Sequence, residues 1–144
     1  MNDIATVLKS KGSEVATIGR EADLRQAAAE LTRLRIGALV VVDESGAVVG
    51  IVSERDLVQC LAEHGAETIG RSVATAMTSD VVTAGPDTPV LAALALMTSR
   101  RIRHLPVTRA ESLVGIVSIG DLVKYRVERI EAEAEAMRAY IQSA

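Results

Sequence analysis

At 144 residues the chain has room for one domain, or for two small units sharing a core. Hydrophobic residues make up 49%, but Phe and Trp are missing and Tyr125 and Tyr140 are the only aromatics, so the core must be built from Val, Ile, Leu, Ala and Met. A net charge of −3 argues against bulk attraction to nucleic acid or acidic membranes, and the lone Cys60 cannot close an internal disulfide. Without a secretory h-region or an apolar run of about 20 residues, the expectation is a soluble cytoplasmic protein.

In chain order, an extended piece at Val15 to Ile18 leads to a helix with apolar positions Leu24, Ala27, Ala28, Leu31 and Leu34. The segment VVVDESGAVVGIV then reads as two strands around a polar hairpin, followed by a helix from Ser53. A short linker, GAETIGRSVATAMTS, is not strongly polar and reads as ordered. The same sequence of elements then recurs. Val81 to Ala84 are extended, Thr88 is a candidate N-cap with Pro89 in the first helical position, LPVTRAESLVGIV forms a second hairpin, and a helix starts near Ser118.

The recurrence is a duplication. GIVSERDLV at 50–58 returns as GIVSIGDLV at 115–123, an offset of 65, while EVATIGREADL and RIGALVV match DVVTAGPDTPV and RIRHLPV at an offset of 66. One residue has been lost from the second copy, between segments read as paired strands, where a turn absorbs it. Each β-α-β-β-α unit, about 50 residues long, is too small to cover its own sheet. The expected fold class is α+β: two such repeats, at residues 4–66 and 67–126, packed with pseudo-two-fold symmetry. A C-terminal helix extension follows at 127–144. Along the C-terminal helix Val123, Val127, Ile130, Ala134, Met137 and Ile141 fall at spacings of 4, 3, 4, 3 and 4, a stripe suited to a second subunit.

Ser53 and Asp56, like Ser118 and Asp121, stand three apart where a strand turns into a helix. As local structure this is a capping box. The helix start also presents unpaired N–H groups to an anion, and a carboxylate on the same rim accepts from adjacent hydroxyls, a combination that matches a ribose phosphate.

Two β-α-β-β-α copies, each ending in G-h-V-S-x-x-D, with h-x-x-L-P-V on a preceding strand, resemble the cystathionine β-synthase (CBS) domain pair, or Bateman module. The resemblance implies a regulatory, non-catalytic module that binds adenosine-containing ligands between the copies: AMP foremost, with ATP, ADP, NAD(H) and S-adenosylmethionine as alternatives. By position it implies one cleft of Ile116, Ser118 and Asp121 with Thr17, Gly37 and Ala38 from the other copy. A second would use Ile51, Ser53, Asp56 and Arg55, with Thr83, Arg103 and His104 across the axis. Pro106 lies on the h-x-x-L-P-V strand. Because Arg103 and His104 replace Gly37 and Ala38, the Asp121 cleft is expected to grip phosphates better, with Arg55 substituting in the Asp56 cleft. The family also suggests a homodimer, acting on a regulated protein that the sequence does not name.

Other constellations are poorer in chemistry. Cys60 and His64 have helical ligand spacing, but no further residues complete a metal set. His104 has no nucleophile or carboxylate at a recognisable spacing to make it a general base. SRRIRH at 99–104 lacks the aromatic platforms on which bases stack, so nucleic acid is not an expected partner. The competing reading is a scaffolding dimer whose clefts are vestigial and whose S-x-x-D motifs only cap helices.

Overall fold

The computed structural model describes residues 2–143. The elements run α1 (Ile4–Lys11), β1 (Thr17–Gly19), α2 (Leu24–Leu34), β2 (Ala38–Val42), β3 (Val48–Ser53), α3 (Glu54–His64), a 3-10 turn (Gly65–Gly70), α4 (Val73–Ala76), α5 (Val90–Arg100), β4 (His104–Arg109), β5 (Ser112–Ser118) and α6 (Ile119–Ser143). β1 pairs parallel with β2, which pairs antiparallel with β3; β4 and β5 pair antiparallel. The registers repeat the duplication, with Ala38 opposite Ser53 and His104 opposite Ser118. Residues 43–47 join the first hairpin. Ala110 and Glu111, both at positive φ, close the second in two residues, so the shortening does fall in the turn.

The helices follow their local chemistry. Asp23 and Gln26 cap α2 reciprocally at 2.8 and 2.9 Å, and Arg35 ends it in the left-handed region. Only one face is buried, by Leu24, Ala27 and Leu31, whereas Ala28 and Leu34 face outward. A straight helix against one sheet cannot bury every apolar position the sequence offers.

Two expectations for the second copy shift. The strand at Val81 to Ala84 shrinks to a single parallel bridge between Ala84 and Val107, because Gly85 and Pro86 then turn the chain and Pro86 has no donor to give. The α5 helix starts at Val90 with Pro89 as its N-cap, one residue later than expected. The Thr88 hydroxyl accepts from Gly85 N–H at 3.2 Å instead, and the Val90 N–H goes to the Asn2 carbonyl at 2.8 Å.

That last bond belongs to an exchange of arms between the copies. α1 precedes the first copy but buries Ile4, Val7 and Leu8 in the core of the second, with Ala93, Met97, Leu105, Val117 and Leu122. α4 precedes the second copy but buries Val73 in the core of the first, with Leu24, Leu39, Val41, Val52 and Cys60. The cross-caps match: Leu24 N–H donates to Arg71 at 2.9 Å as Val90 N–H does to Asn2. The contacts align Ile4-Ala5-Thr6-Val7-Leu8 with Val73-Ala74-Thr75-Ala76-Met77. Leu8 lies against Gly115 and Met77 against Gly50, each glycine leaving room that a Cβ would fill. Each fully buried Leu, Ile or Val contributes about 1.5–3 kcal/mol, so neither copy is complete without the other's arm.

Candidate functional site: the clefts between the repeats

In both copies the S-x-x-D motif forms the expected cap. Asp56 Oδ2 accepts from Ser53 N–H at 2.8 Å and from the Ser53 hydroxyl at 3.1 Å, while Ser53 Oγ accepts from Asp56 N–H at 3.3 Å. In the second copy Asp121 Oδ2 accepts from Ser118 N–H at 2.8 Å, and Ser118 Oγ from Asp121 N–H at 3.0 Å. Among the described residues Asp56 Oδ1 has no partner, so one carboxylate oxygen stays available beside the start of α3 after the cap is made.

That oxygen's carboxylate borders a cavity of about 340 Å³. One wall comes from the first copy, with Gly37, Ile51, Ser53, Glu54, Arg55 and Asp56; the other comes from the second, with Arg101, Ile102, Arg103 and His104. Thr78 closes one side. Its N–H and carbonyl bond to Ile51 at 2.8 and 3.0 Å, holding the segment after α4 on the edge of β3. The cavity is thus lined by the apolar Ile51 and Ile102, by an acid, Asp56, and by three arginines. Among the described residues none of Arg55, Arg101 and Arg103 is in an ion pair. Unpaired arginines around a concave site favour an anion, above all a phosphate.

The His104 ring packs against Gly37, where a Cβ would lie only 3.1 Å from Nε2. Burial lowers the His104 pKa below its ordinary value of 6.5; the carboxylates of Asp121 and Glu54 pull the other way, and Arg103 and Lys11 add to the lowering. The ring is therefore biased to neutral in the empty cleft.

The structure brings Gly37, Ile51, Ser53, Arg55, Asp56, Arg103 and His104 of the expected residues around one cavity. Ala38 is buried at the start of β2, Pro106 is buried in β4 opposite Ile116, and Thr17 and Thr83 lie exposed on their extended segments, outside that lining. Ile116, Ser118 and Asp121 group where β5 runs into α6, where Lys11 Nζ lies 2.8 Å from both the Ile116 carbonyl and Asp121 Oδ2. Burial pushes the Asp121 carboxyl up, but the Lys11 ammonium and Ser118 outweigh it and leave the group below the usual carboxylate range.

The cations behind the expected ranking of the clefts lie elsewhere. Arg103 and His104 project into the Asp56 cleft, so the cations collect there, and the Asp121 carboxylate is already engaged by a lysine. The strand ends face across the pseudo-axis, so a cation carried by one copy serves the other's S-x-x-D motif.

Arg101, Ile102, Glu54 and Thr78 were not anticipated. Arg101 had a signal: it occupies the left-handed C-cap of α5 (φ 55), where glycine is favoured, as Arg35 does on α2. From that C-cap Arg101 joins the lining of the cleft. Thr78 had none, because its place depends on the arm exchange. Cys60 is buried in the first core, whereas His64 is exposed beside Glu63 at 3.8 Å, so the two are not presented together.

The family model for the CBS domain matches residues 8–63 and again 71–128. The chain belongs to the CBS-domain family. It is 36% identical over 147 aligned residues to the mitochondrial CBS domain-containing protein CBSX3 of Arabidopsis thaliana, covering 96% of this chain and 71% of that one. The CBS-domain protein ATU1752 of Agrobacterium tumefaciens superposes with a TM-score of 0.84 at 41% identity, covering 86% of this chain and 92% of its own. Two further CBS structures hold adenosine ligands. The CBS domain pair of MJ0100, in complex with 5′-methylthioadenosine and S-adenosyl-L-methionine, matches with a TM-score of 0.79 at 26% identity over 88% of this chain and 97% of its own. PAE2072 of Pyrobaculum aerophilum, complexed with AMP, matches at 0.74 and 26% identity over 83% and 88%. The pair of CBS repeats with its C-terminal helix is thus the architecture of this chain. No helix among the described residues is long and apolar enough to cross a membrane.

Proposed function

We propose that this CBS pair is a non-catalytic regulatory module that binds an adenosine phosphate, AMP foremost and NAD(H) or ATP next, in the Asp56 cleft. The observation that carries the reading is the convergence there of an open Asp56 carboxylate and unpaired Arg55, Arg101 and Arg103 around an apolar cavity. Asp56 takes the ribose hydroxyls, Ile51 and Ile102 flank the base, and the arginines with His104 hold the phosphate. The AMP-bound and S-adenosylmethionine-bound CBS pairs of similar fold support the ligand class.

Because the cleft is walled by both copies, a ligand fixes the angle between them. It shifts a conformational equilibrium by its differential affinity for the two states and makes or breaks no bond. The output passes to a second protein. The working form is a homodimer in the cytoplasm, joined along α6, where Val123, Val127, Ile130, Met137 and Ile141 are each 46–64% exposed and present an apolar stripe to solvent.

The test is thermal unfolding of the purified chain with AMP, ADP, ATP, NAD⁺, NADH and S-adenosylmethionine, with GTP and deoxy-AMP as controls. A ligand at 100 times its dissociation constant adds about 2.7 kcal/mol of apparent stability. The expected result is an adenosine-selective rise that Asp56→Ala removes, with an intrinsic loss of about 0.5–2 kcal/mol for the cap. No rise with any of these ligands would overturn the reading and leave a scaffolding dimer whose S-x-x-D motifs are caps only.

A further inference from the structure

The two arms that the copies exchange are not equal. After the aligned residues Leu8 and Met77, eight residues precede Thr17 but only five precede Thr83. The three extra residues lengthen the first arm's helix: α1 runs to Lys11, while α4 stops at Ala76 and its chain passes into the extended Thr78. The consequence falls on equivalent strand positions. Ile51, beside the Asp56 cleft, is paired by the backbone of Thr78. Ile116, beside the Asp121 cleft, has its carbonyl taken by Lys11 Nζ at 2.8 Å, and the same ammonium sits 2.8 Å from Asp121 Oδ2.

We infer that Lys11 is a built-in lock on the second cleft, its ammonium held between the Ile116 carbonyl and Asp121 Oδ2 across the approach to that carboxylate and making the module a one-ligand device. The inference rests on the adenosine-phosphate reading of the first cleft and adds how the second is regulated. The ammonium bonds Oδ2, the oxygen that also accepts the Ser118 cap, and adds a full charge between that carboxylate and the Ile116 carbonyl that a sugar does not carry; Asp121 Oδ1, like Asp56 Oδ1, has no hydrogen bond among the described residues. Ile4, Val7 and Leu8 anchor α1 in the core of the second copy, so the lysine starts from a fixed backbone. A nucleoside reaching for Asp121 must first displace it. The Asp56 cleft has no equivalent occupant: the cation nearest in sequence, Arg55, is in no ion pair among the described residues.

The experiment is isothermal titration of the full chain with AMP, comparing the wild type, Asp56→Ala, Lys11→Met and the double variant. Methionine keeps the length and helix preference of lysine without its charge. The expected stoichiometries per chain are one, zero, two and one. Two AMP bound by the wild type, or a single AMP bound by Lys11→Met, would each overturn the lock while leaving the proposed function standing; a single AMP bound by the wild type and retained by Asp56→Ala would overturn the lock and the assignment of the Asp56 cleft together. If the wild type binds no AMP but Lys11→Met binds one, the lock is upheld and the assignment of the Asp56 cleft falls. If neither binds, both fall.

Discussion

The contact between Leu8 on α1 and Gly115 on β5 allows the arm exchange to be measured as an energy. Leu8→Ala removes a buried side chain from the second core and costs about 2–5 kcal/mol, with no loss of helix preference because alanine is the best helix former. Gly115→Ala adds a methyl that meets Leu8 Cδ1 and Cδ2 at 2.8 Å. The clash is with the far end of a flexible side chain, so the expected cost is about 1 kcal/mol, the low end for overpacking. In the double variant the new methyl enters the space that Leu8 vacates. Its stability should exceed the additive expectation by about 1–2 kcal/mol, since neighbouring residues that share a cavity couple by about 0.5–3 kcal/mol. Urea unfolding followed by circular dichroism gives all four values, and a domain with about 5–15 kcal/mol to lose stays folded throughout. Effects that add to within about 0.5 kcal/mol would refute the docking of α1 on β5.

Four further outcomes follow from the cleft and from α6. Arg103→Ala should weaken AMP by about 10-fold or more, the worth of a charge-assisted hydrogen bond, and leave adenosine nearly unchanged in the same titration. The depressed His104 pKa makes the unfolded chain the stronger proton binder below pH 6.5, so stability of the empty protein falls as pH drops through that value toward the folded pKa. A phosphate beside the ring reverses this bias: AMP binding takes up a proton and tightens from pH 8 to pH 6, to be read from buffer-dependent titration heats, and His104→Gln should flatten that dependence. Finally, Ile130→Glu in the exposed α6 stripe should convert a dimer to a monomer in sedimentation equilibrium, whereas Glu131→Ala should not.

Much of this architecture was legible because duplication puts two readings of each element in one chain. The hairpins, the S-x-x-D caps and the long terminal helix each carried a local signal: alternating Val and Ile, a serine three before an acid, an apolar spacing of 4 and 3. What escaped was set by contacts distant in sequence. Nothing local says that Ile4 and Val7 pack under the other copy or that Asn2 accepts from Val90. Ranking the Asp121 cleft first credits Arg103 and His104 to their own copy, whereas the cavity sets them beside Asp56, the cross-axis place that the family positions imply. Lys11 lay just before the first repeated strand, yet only the path of α1 brings it to Asp121.

The exchange of arms also bears on how such a chain arises and unfolds. A single repeat cut from its twin would hold a sheet with no arm upon it and an arm with no sheet beneath. Two such halves would complete each other by swapping, so the 144-residue chain is, in effect, an arm-swapped dimer made permanent by a peptide linker. Neither half can melt without stripping the other's core, which turns two undersized units into one cooperative transition. It also means that a duplicated gene was free to let its halves diverge: once joined, one arm could lengthen by a turn and take on a task the other never acquired.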